Sequence, residues 1–539
     1  MLKLAKLFSD GMVLQREKPV HIWGQTEAGN QVKVEIQGKS AEAVADATGC
    51  FDICLEGLET SLQENLVVTG GQDRAEITDV AVGEVFIAGG QSNMEFPLRY
   101  EKHHEEALQT RDNDLRFFDT PKKYYPAQDT DFDYSAVGHW RKAESAEDLG
   151  YFSAVAFYFA KEIRQKEGVP VGIVGCNWGG TRSCAWMDEE TVKKVGESWM
   201  EEWEKAIAGR DMDAFWASRK DDPQANAGNP GTSPFDAMIL PRTPSREEIA
   251  ANMMETAIQG MKEAAKNDPQ VAAMVENAMD EKGNINPAFM QKIMEKYRDT
   301  IDARIKPGIL YEHMVKNIAP FTARGVLWYQ GESDDVPGLQ ALYTDMFTGL
   351  VGDWRALWQD AELPFIEVQL PGWHDWMDQT NLDYATIRRC QEEVAKTVEG
   401  VYMASISDVG EEHDIHPKDK KTVGHRMALL ARHYLYGEDL LCEAPRPVGI
   451  KRKADKIIID MEDSGENLQI LGSTIEALQL RSADQVIPYN ASVAGNALIL
   501  SLDEPTDAPI QIRFAKDDWY RVNLVNAAGI PAIPFETRC

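Results

Sequence analysis

Five short apolar runs, separated by longer polar segments, constrain the fold of this chain more than any other feature. The runs are residues 83–90, 171–175, 325–329, 364–369 and 401–406. Continuous apolar runs of this length are typical of parallel strands that helices cover on both faces. Residues 154–163, between the first two runs, have the composition of such a helix. The pattern predicts an α/β fold with a doubly wound parallel sheet and a site at the carboxyl ends of its strands.

Short alternating strands flank this region on both sides. Residues 31–37 alternate polar and apolar side chains, and residues 456–460 and 497–501 form short strand-like runs between turn residues. A chain of 539 residues is too long for one core, and about two to four domains are expected. We predict an N-terminal antiparallel β-domain over 1–82, an α/β domain over 83–436 and a C-terminal β-domain over 437–539.

A charged, methionine-rich segment interrupts the α/β pattern at about residues 187–306. Met254, Ile258, Met261 and Ala265 recur there at helical spacing. Methionine stripes of this kind usually form the core face of a helix. The segment is therefore predicted to be a helical insertion without chemistry of its own.

The charge of the chain limits its partners. It carries 88 acidic against 56 basic residues, a formal net charge of -32, which repels phosphate backbones and anionic headgroups. No run approaches the roughly 20 apolar residues of a membrane span, and the N-terminus has no apolar stretch of signal-peptide length. We predict no nucleic acid or membrane partner and a cytoplasmic location. Export remains the alternative if a leader has been removed, and a homodimer is left open.

The seven cysteines do not suggest a metal or a disulfide framework. Their number is odd and they are spread over the chain, which is typical of reduced thiols. Cys50 and Cys54 have no second Cys/His pair nearby, so their spacing does not predict zinc. Neither a metal nor an organic cofactor is predicted.

Ser92 is the candidate nucleophile. It follows Gly89 and Gly90 at the end of the first apolar run, where a tight turn can expose a hydroxyl beside a helix N-terminus. Serine is also a favoured helix N-cap, so this position alone does not decide between the two roles. Met94 stands where the nucleophile elbow of α/β-hydrolases has glycine, and a different hydrolase fold is implied.

A base for such a serine is expected in the loop after the last run. His416 is the favoured candidate because Asp414, two residues before it, can hold the imidazole in one orientation, and Pro417 stiffens the loop. His413 is the competing candidate.

Two further strand ends offer groups for an oxyanion. Gln330 follows the run 325–329 and carries a side-chain amide, although such groups usually form turns. Gly179 and Gly180 follow the run that begins at 171 and offer backbone N–H groups. Four strand ends thus each supply one catalytic part.

Motifs along nearly the whole chain resemble the sialate O-acetylesterase family, relatives of the wider SGNH-hydrolase group. They are residues 8–16, 83–94, 177–181, 326–333, 353–355, 415–417, 523–526 and 531–535. The resemblance implies an SGNH or flavodoxin-like sheet. It also implies a serine esterase that hydrolyses O-acetyl esters of sugars through an acetyl-serine, with O-acetylated sialic acid as the expected substrate. The alternatives are an acetylesterase for xylan or another glycan and, from another class, a catalytically inactive carbohydrate-binding protein.

The resemblance also assigns roles to residues. Ser92 is the implied nucleophile and His416 the base, while the oxyanion hole comprises the N–H of Ser92, an N–H from Gly179 or Gly180, and the Gln330 side chain. The wider group has its acid three residues before the histidine, where this chain has His413. Asp414 is therefore the expected third member, with Asp408 or a backbone carbonyl as alternatives.

Two departures from the family pattern and three substrate candidates complete the prediction. Residues 310–314 read Leu-Tyr-Glu-His-Met where the family has Leu-Tyr-Asn-Gly-Met, and the insertion is unusually long and charged. Arg388 matches a family arginine and can pair with a sugar carboxylate, or else form a structural ion pair. Trp373 and Trp376 follow the run 364–369 and can stack on a sugar, or else pack under a lid.

Overall fold

A computed structural model of the protein describes residues 1–125, 128, 137–217, 301–376, 379–453, 455–483 and 485–539. The predicted methionine stripe from Met254 to Ala265 lies outside these residues. The described part of the predicted insertion begins with three helices. They are α5 (Glu189–Val195), α6 (Glu197–Ile207) and α7 (Met212–Ala217).

Short strands, most of them in antiparallel pairs, build the N-terminal region. They are β1 (Lys3–Leu4), β2 (Val13–Gln15), β3 (Val20–Gln25), β4 (Gln31–Ile36), β5 (Lys39–Val44), β6 (Cys50–Leu55) and β7 (Ser61–Gly70). In β4 the side chains of Val32, Val34 and Ile36 are buried and the residues between them are not, which is the alternation predicted from the sequence. The sheet β1–β3–β6 and the ladder β5–β4–β7 are both antiparallel.

One long strand connects this region to the α/β part. Strand β8 (Asp73–Gly90) pairs with β7 in its first half, and its second half lies in the middle of the parallel sheet. It runs through the predicted domain boundary at residue 82. All residues of β8 from Val80 onward are buried, as expected for a strand covered on both faces.

The parallel sheet contains the five predicted runs and one further strand. Its other strands are β9 (Asp112–Asp119), β11 (Val171–Asn177), β12 (Gly325–Tyr329), β13 (Phe365–Val368) and β16 (Val401–Ala404). The spatial order is β9–β11–β8–β12–β13–β16, with every neighbouring pair parallel, and the antiparallel strand β10 (Trp140–Ala143) closes one edge. The short strands β14 (Asp375–Trp376) and β15 (Gln379–Thr380) form a separate antiparallel pair. The chain passes from β8 to one side of the sheet and then to the other, so a crevice is expected at the carboxyl end of β8.

Helices cover both faces of this sheet. They include α1 (Ser92–Glu95), α2 (His104–Ala107), α3 (Ala146–Gly150), α4 (Ala154–Glu167), α8 (Lys316–Ile318), α9 (Tyr343–Trp358), α10 (Tyr384–Thr397) and α11 (Lys420–Tyr434). On one face Phe159 of α4 contacts Phe86, with ring centroids 4.8 Å apart. On the other face Gly89 lies so close to Trp328 of β12 and Trp354 of α9 that a Cβ there would come within 2.9 Å and 3.3 Å of them. A mixed sheet with helices is thus confirmed, and its finer assignment to an SGNH or flavodoxin-like fold stays a prediction.

Capping residues explain where these helices begin and end. The Ser153 hydroxyl accepts a hydrogen bond from the N–H of Ala156 at the start of α4, and Gly168 ends the helix with φ of 67°. Asp383 and Asp419 cap α10 and α11 in the same way.

The C-terminal region returns to β-structure. Its strands are β17 (Arg446–Lys453), β18 (Lys456–Glu462), β19 (Gln469–Ile470), β20 (Leu478–Ser482), β21 (Gln485–Val486), β22 (Tyr489–Ala494), β23 (Ala497–Leu502), β24 (Gln511–Phe514), β25 (Leu524–Val525) and β26 (Phe535–Arg538). They form the antiparallel sheets β17–β18–β23–β22 and β21–β20–β24–β26 with a core separate from that of the preceding residues. The domain boundaries stay predictions. Within the part of the chain that the structure describes, no helix has the length and apolar character needed to cross a bilayer.

Candidate active site

Ser92 lies at the carboxyl end of β8, the central strand of the parallel sheet. It is the first residue of the short helix α1 and is 6 % exposed. The chain can turn there because Gly90 adopts φ of 132°, and a Cβ at this position would come within 2.1 Å of the Tyr329 carbonyl oxygen. The glycine therefore lets β8 and β12 approach closely while the next turn carries the serine.

His416 approaches Ser92 from the loop between β16 and α11. Its Nε2 lies 2.9 Å from the Ser92 Oγ, although the two residues are 324 positions apart in the chain. The competing His413 is elsewhere: its Nδ1 lies 2.5 Å from the Asp375 carboxylate, and its side chain is 63 % exposed. Of the two candidate bases, the fold brings only His416 to the serine.

Asp414 accompanies His416 in a buried position. One carboxylate oxygen accepts the backbone N–H of His416 at 2.8 Å and lies 3.5 Å from its Nδ1. Asp408, the alternative acid, instead forms a two-point ion pair with Arg426, at 2.6 Å and 2.7 Å. The carboxylate next to the imidazole is therefore that of Asp414.

A lysine holds the second oxygen of Asp414. The Lys418 Nζ donates to Asp414 Oδ2 at 2.6 Å and to the His416 carbonyl oxygen at 3.1 Å. Burial by itself raises the pKa of Asp414, but the contact with the His416 side chain and the charge of Lys418 outweigh it and lower the pKa to about 2. The carboxylate is thus ionised at neutral pH.

The imidazole is held in its neutral form. Burial lowers the pKa of His416, the Asp414 carboxylate opposes this, and the charges of Lys418 and Lys420 lower the pKa further. The net pKa lies below the ordinary value of 6.5. A neutral imidazole beside a serine hydroxyl can accept its proton.

Gly179 and Gly180 lie in the loop after β11, next to the nucleophile turn. The Gly179 N–H donates to Glu95 Oε2 at 2.6 Å, and Glu95 in turn pairs with Lys122. Gly180 is exposed and adopts φ of 74°. The bond to Glu95 engages the Gly179 N–H, so Gly180 is the better placed of the two to offer an N–H to a ligand.

Gln330 is buried at the carboxyl end of β12. Its amide N–H groups are directed to Gln91 Oε1 at 3.1 Å, the Thr181 carbonyl at 3.3 Å and Asp334 Oδ2 at 2.5 Å. Its own oxygen accepts the Tyr343 hydroxyl at 3.0 Å. In this arrangement the amide connects three loops at the edge of the sheet, and its role as an oxyanion donor stays a prediction.

The predicted substrate residues are all buried. Trp376 meets His416 edge to face, with ring centroids 4.9 Å apart, whereas Trp373 packs on Tyr384 at 5.3 Å. The Arg388 guanidinium is 2 % exposed, donates to the Pro371 carbonyl and lies over the Tyr520 ring. Among the described residues no carboxylate forms an ion pair with Arg388. The fold thus brings Trp376, but not Trp373, into contact with the Ser92–His416 pair.

Four buried side chains at the site were missed by the sequence reasoning. They are Asn93, Glu332, Lys418 and Lys420. Each stands within four residues of a predicted catalytic residue, and this proximity in the sequence is the signal that could have found them. Lys420 is fully buried at the start of α11, where burial lowers its pKa to about 7.

Comparison with known proteins shows which sequences and structures the chain resembles. The sequence model of a family described as carbohydrate esterase, sialic acid-specific acetylesterase, matches residues 291–433. The sialate O-acetylesterase of mouse (Mus musculus) is 23 % identical over 584 aligned residues, which cover 99 % of this chain and 94 % of the mouse protein. The human (Homo sapiens) sialate O-acetylesterase is 22 % identical, covering 96 % and 88 %. The chain is similar to the sialate O-acetylesterases over nearly its whole length.

A solved structure supports the same assignment. The crystal structure of a carbohydrate acetylesterase from Xanthomonas citri matches with a TM-score of 0.71 and 27 % identity, covering 100 % of this chain and 99 % of that one. The predicted resemblance to the sialate O-acetylesterase family is confirmed, and so is the enzyme class, a carboxylic ester hydrolase. The comparisons support hydrolysis of O-acetyl esters of sugars.

Proposed function

We propose that this chain hydrolyses O-acetyl esters of sialic acid through an acetyl-enzyme on Ser92. The observation that carries the proposal is the 2.9 Å contact between Ser92 Oγ and His416 Nε2 at the carboxyl edge of the parallel sheet. A serine paired with a neutral histidine is the arrangement that activates a hydroxyl for acyl transfer.

In the first step Ser92 Oγ attacks the acetyl carbonyl carbon while His416 Nε2 takes its proton. The carbonyl oxygen becomes an oxyanion, for which the backbone N–H groups of Ser92 and Gly180 are the proposed donors. When the tetrahedral intermediate collapses, the bond from carbon to the sugar oxygen breaks. The sugar hydroxyl leaves with the proton from His416.

In the second step water hydrolyses the acetyl-serine. His416 accepts a proton from the water, whose oxygen attacks the acetyl carbon, and the same oxyanion donors are used again. Collapse releases acetate and returns the proton to Ser92 Oγ. Both steps need His416 neutral at the outset, as burial and the charges of Lys418 and Lys420 favour.

Asp414 and Gln330 support these groups in different ways. The Asp414 carboxylate accepts the backbone N–H of His416 and stabilises the imidazolium that forms in each step. The Gln330 side-chain amide donates a hydrogen bond to the carbonyl oxygen of Thr181, the residue after Gly180. It thereby connects the loop that carries Gly180 to the end of β12.

Support for a sialic acid substrate comes from the names of the relatives and from Arg388. This buried guanidinium forms no ion pair with a described carboxylate, so a carboxylate on the sugar would supply its missing counter-charge. Acetylated xylan has no carboxylate on its xylose units and would leave Arg388 unpaired. The test offers O-acetylated sialic acid and acetylated xylan oligomers in parallel and follows acetate release. Activity on xylan alone would exclude the sialate substrate while keeping the nucleophile.

The nucleophile is tested with p-nitrophenyl acetate. We expect Ser92→Ala to abolish turnover and His416→Ala to come close to abolishing it, because His416 takes the serine proton in the first step. Ser464→Ala is the matched control because it removes another buried serine hydroxyl, in the C-terminal β-region. Equal rates for the wild type and Ser92→Ala would refute the assignment.

A further inference from the structure

Asn93, the residue after the proposed nucleophile, has a side chain that contacts three distant segments. Its Nδ2 donates to the Ile415 carbonyl at 3.0 Å and to Glu332 Oε1 at 2.5 Å, and its Oδ1 accepts from Lys420 Nζ at 2.5 Å. The side chain is 1 % exposed. Both amide N–H groups are therefore used, and a single amide joins α1, the end of β12 and the start of α11.

The hydrogen bond from Asn93 to the Ile415 carbonyl lies next to the contact between Ser92 and His416. Ser92 and Asn93 are neighbours on one segment, and Ile415 and His416 are neighbours on the other. Two hydrogen bonds thus connect the same two segments, Asn93 to Ile415 and Ser92 to His416. Any movement that lengthens the first bond also changes the distance from Oγ to Nε2.

Lys420 and Glu332 hold the amide in this orientation. The ammonium group of Lys420 lies on the oxygen side, and the Glu332 carboxyl lies on the nitrogen side. Reversal of the amide would place N–H groups against Lys420 and an oxygen against two acceptors. The Nζ of Lys420 also lies 4.8 Å from the centre of the Phe96 ring, and its side chain is fully buried. The amide therefore has one favourable orientation.

We propose that Asn93 is a positioning residue whose side chain sets the separation of Ser92 and His416 by binding the nucleophile turn to the loop that carries the base. This rests on the proposed function, in which Ser92 and His416 perform the chemistry. A misplacement of about 1 Å in such a pair costs about 10²-fold in rate. The role requires a side chain that donates to a carbonyl and accepts from a lysine at the same time, which an amide does and a carboxylate does not.

The test is Asn93→Asp, which keeps the size of the side chain and removes its two N–H donors. We expect kcat for p-nitrophenyl acetate to fall about 10²-fold with KM within about twofold, because the substrate pocket stays in place while the pair separates. The rate at which a fluorophosphonate probe labels Ser92 should fall by a similar factor, since that reaction depends on the same pair.

Asn526→Asp is the matched control. Asn526 is also 1 % exposed, and its Nδ2 donates to the carbonyl oxygens of Glu443 and Asp463, far along the chain in the C-terminal β-region. This change should lower the melting temperature and leave kcat unchanged. Equal losses of kcat in Asn93→Asp and Asn526→Asp would overturn the proposal, as would wild-type kcat in Asn93→Asp.

A double variant separates positioning from stability. In Asn93→Asp combined with Glu332→Gln, the new amide can donate to the new carboxylate, but the Ile415 carbonyl still has no donor. We expect the melting temperature to recover while kcat stays low, and joint recovery of both would overturn the proposal. Ser92→Ala distinguishes failure of the proposed function from failure of the positioning role. If Ser92→Ala stays active, the proposed function fails. If Ser92→Ala is inactive and Asn93→Asp has normal kcat, only the positioning role of Asn93 fails.

Discussion

The Nζ of Lys418 lies 2.6 Å from one carboxylate oxygen of Asp414, while the other oxygen lies 3.5 Å from Nδ1 of His416. The Asp414 carboxylate therefore contacts Lys418 more closely than it contacts the imidazole of His416. A separation of 3.5 Å is beyond the usual range of a hydrogen bond between nitrogen and oxygen. Asp414 acts on His416 through its charge and through the backbone N–H that it accepts.

We therefore expect Asp414→Asn to reduce activity only in part. The amide oxygen can still accept the backbone N–H of His416, but the negative charge that stabilises the imidazolium is lost. The expected fall in kcat is about 10- to 100-fold, at or below the lower limit of about 10²-fold that general-base catalysis contributes, because His416 itself remains. Steady-state kinetics with p-nitrophenyl acetate measures this change. A loss as complete as that of Ser92→Ala would show that Asp414 does more than the distance of 3.5 Å indicates.

Lys418→Met is expected to shift the pH profile of kcat/KM. The positive charge of Lys418 lowers the pKa of His416, so removing it raises that pKa. Because the enzyme needs a neutral His416, activity rises as pH increases through this pKa, and the acidic limb should move to higher pH. Lys421→Met is the control, since the Lys421 side chain is 48 % exposed and its Nζ lies 3.8 Å from the Glu106 carboxylate. An unmoved acidic limb in Lys418→Met would contradict the prediction.

The buried Lys420 makes stability depend on pH on the alkaline side. Burial lowers its pKa to about 7, against 10.5 for an ordinary lysine, so unfolding takes up a proton between these values. The contribution of this group to the free energy of unfolding therefore increases as pH rises from about 7 to 10.5. Burial raises the pKa of Glu332 above its ordinary value of 4.5. The contribution of Glu332 to the free energy of unfolding therefore decreases as pH rises above 4.5.

Comparison with Lys420→Met isolates the lysine. We expect the free energy of unfolding of the wild type to increase relative to that of Lys420→Met as pH rises from about 7 to 10.5. Urea denaturation at several pH values measures this difference. A difference independent of pH would mean that Lys420 is charged to the same degree in the folded and unfolded protein.

Local sequence patterns predicted the strands of the parallel sheet, and Ser92 as a candidate nucleophile, because each depends on a short stretch of chain. Glycine in front of Ser92 and the apolar run before it indicate a strand followed by a tight turn. Strand β9 was missed because Asp112–Asp119 begins with polar residues and is continuously buried only over its second half. Its place in the sheet follows from pairing with β11, which a pattern within one segment does not report.

The sequence did not predict the hydrogen-bond partners of the candidate site residues, because these partners come from segments far apart in the chain. The bond from the Gly179 N–H to Glu95 and the bonds of Gln330 to Gln91 and Asp334 depend on how three strand ends meet. The sequence favoured His416 over His413, but it did not show the contact of the His413 ring with Asp375, which comes from another loop. Such contacts need the folded geometry.

Trp376 provides a test of whether an aromatic residue at this site acts on the base or on the sugar. Its ring meets the His416 ring at 86° with centroids 4.9 Å apart, a contact that limits rotation of the imidazole. Aromatic pairs of this geometry contribute about 0.5–1.5 kcal/mol, so loss of the ring should cost up to about tenfold in kcat. We expect Trp376→Ala to lose this factor on both p-nitrophenyl acetate and an acetylated sugar, and Trp376→Phe to keep most of the activity.

Trp373→Ala is the comparison, because Trp373 contacts Tyr384 and is linked through its backbone to Asp518. It should leave kcat for p-nitrophenyl acetate nearly unchanged. If Trp376→Ala raises KM for the sugar ester while p-nitrophenyl acetate is hydrolysed normally, the indole contacts the sugar and does not restrain the imidazole. If both substrates lose kcat equally, the contact with His416 accounts for the effect, since the small ester has no sugar ring for an indole to bind.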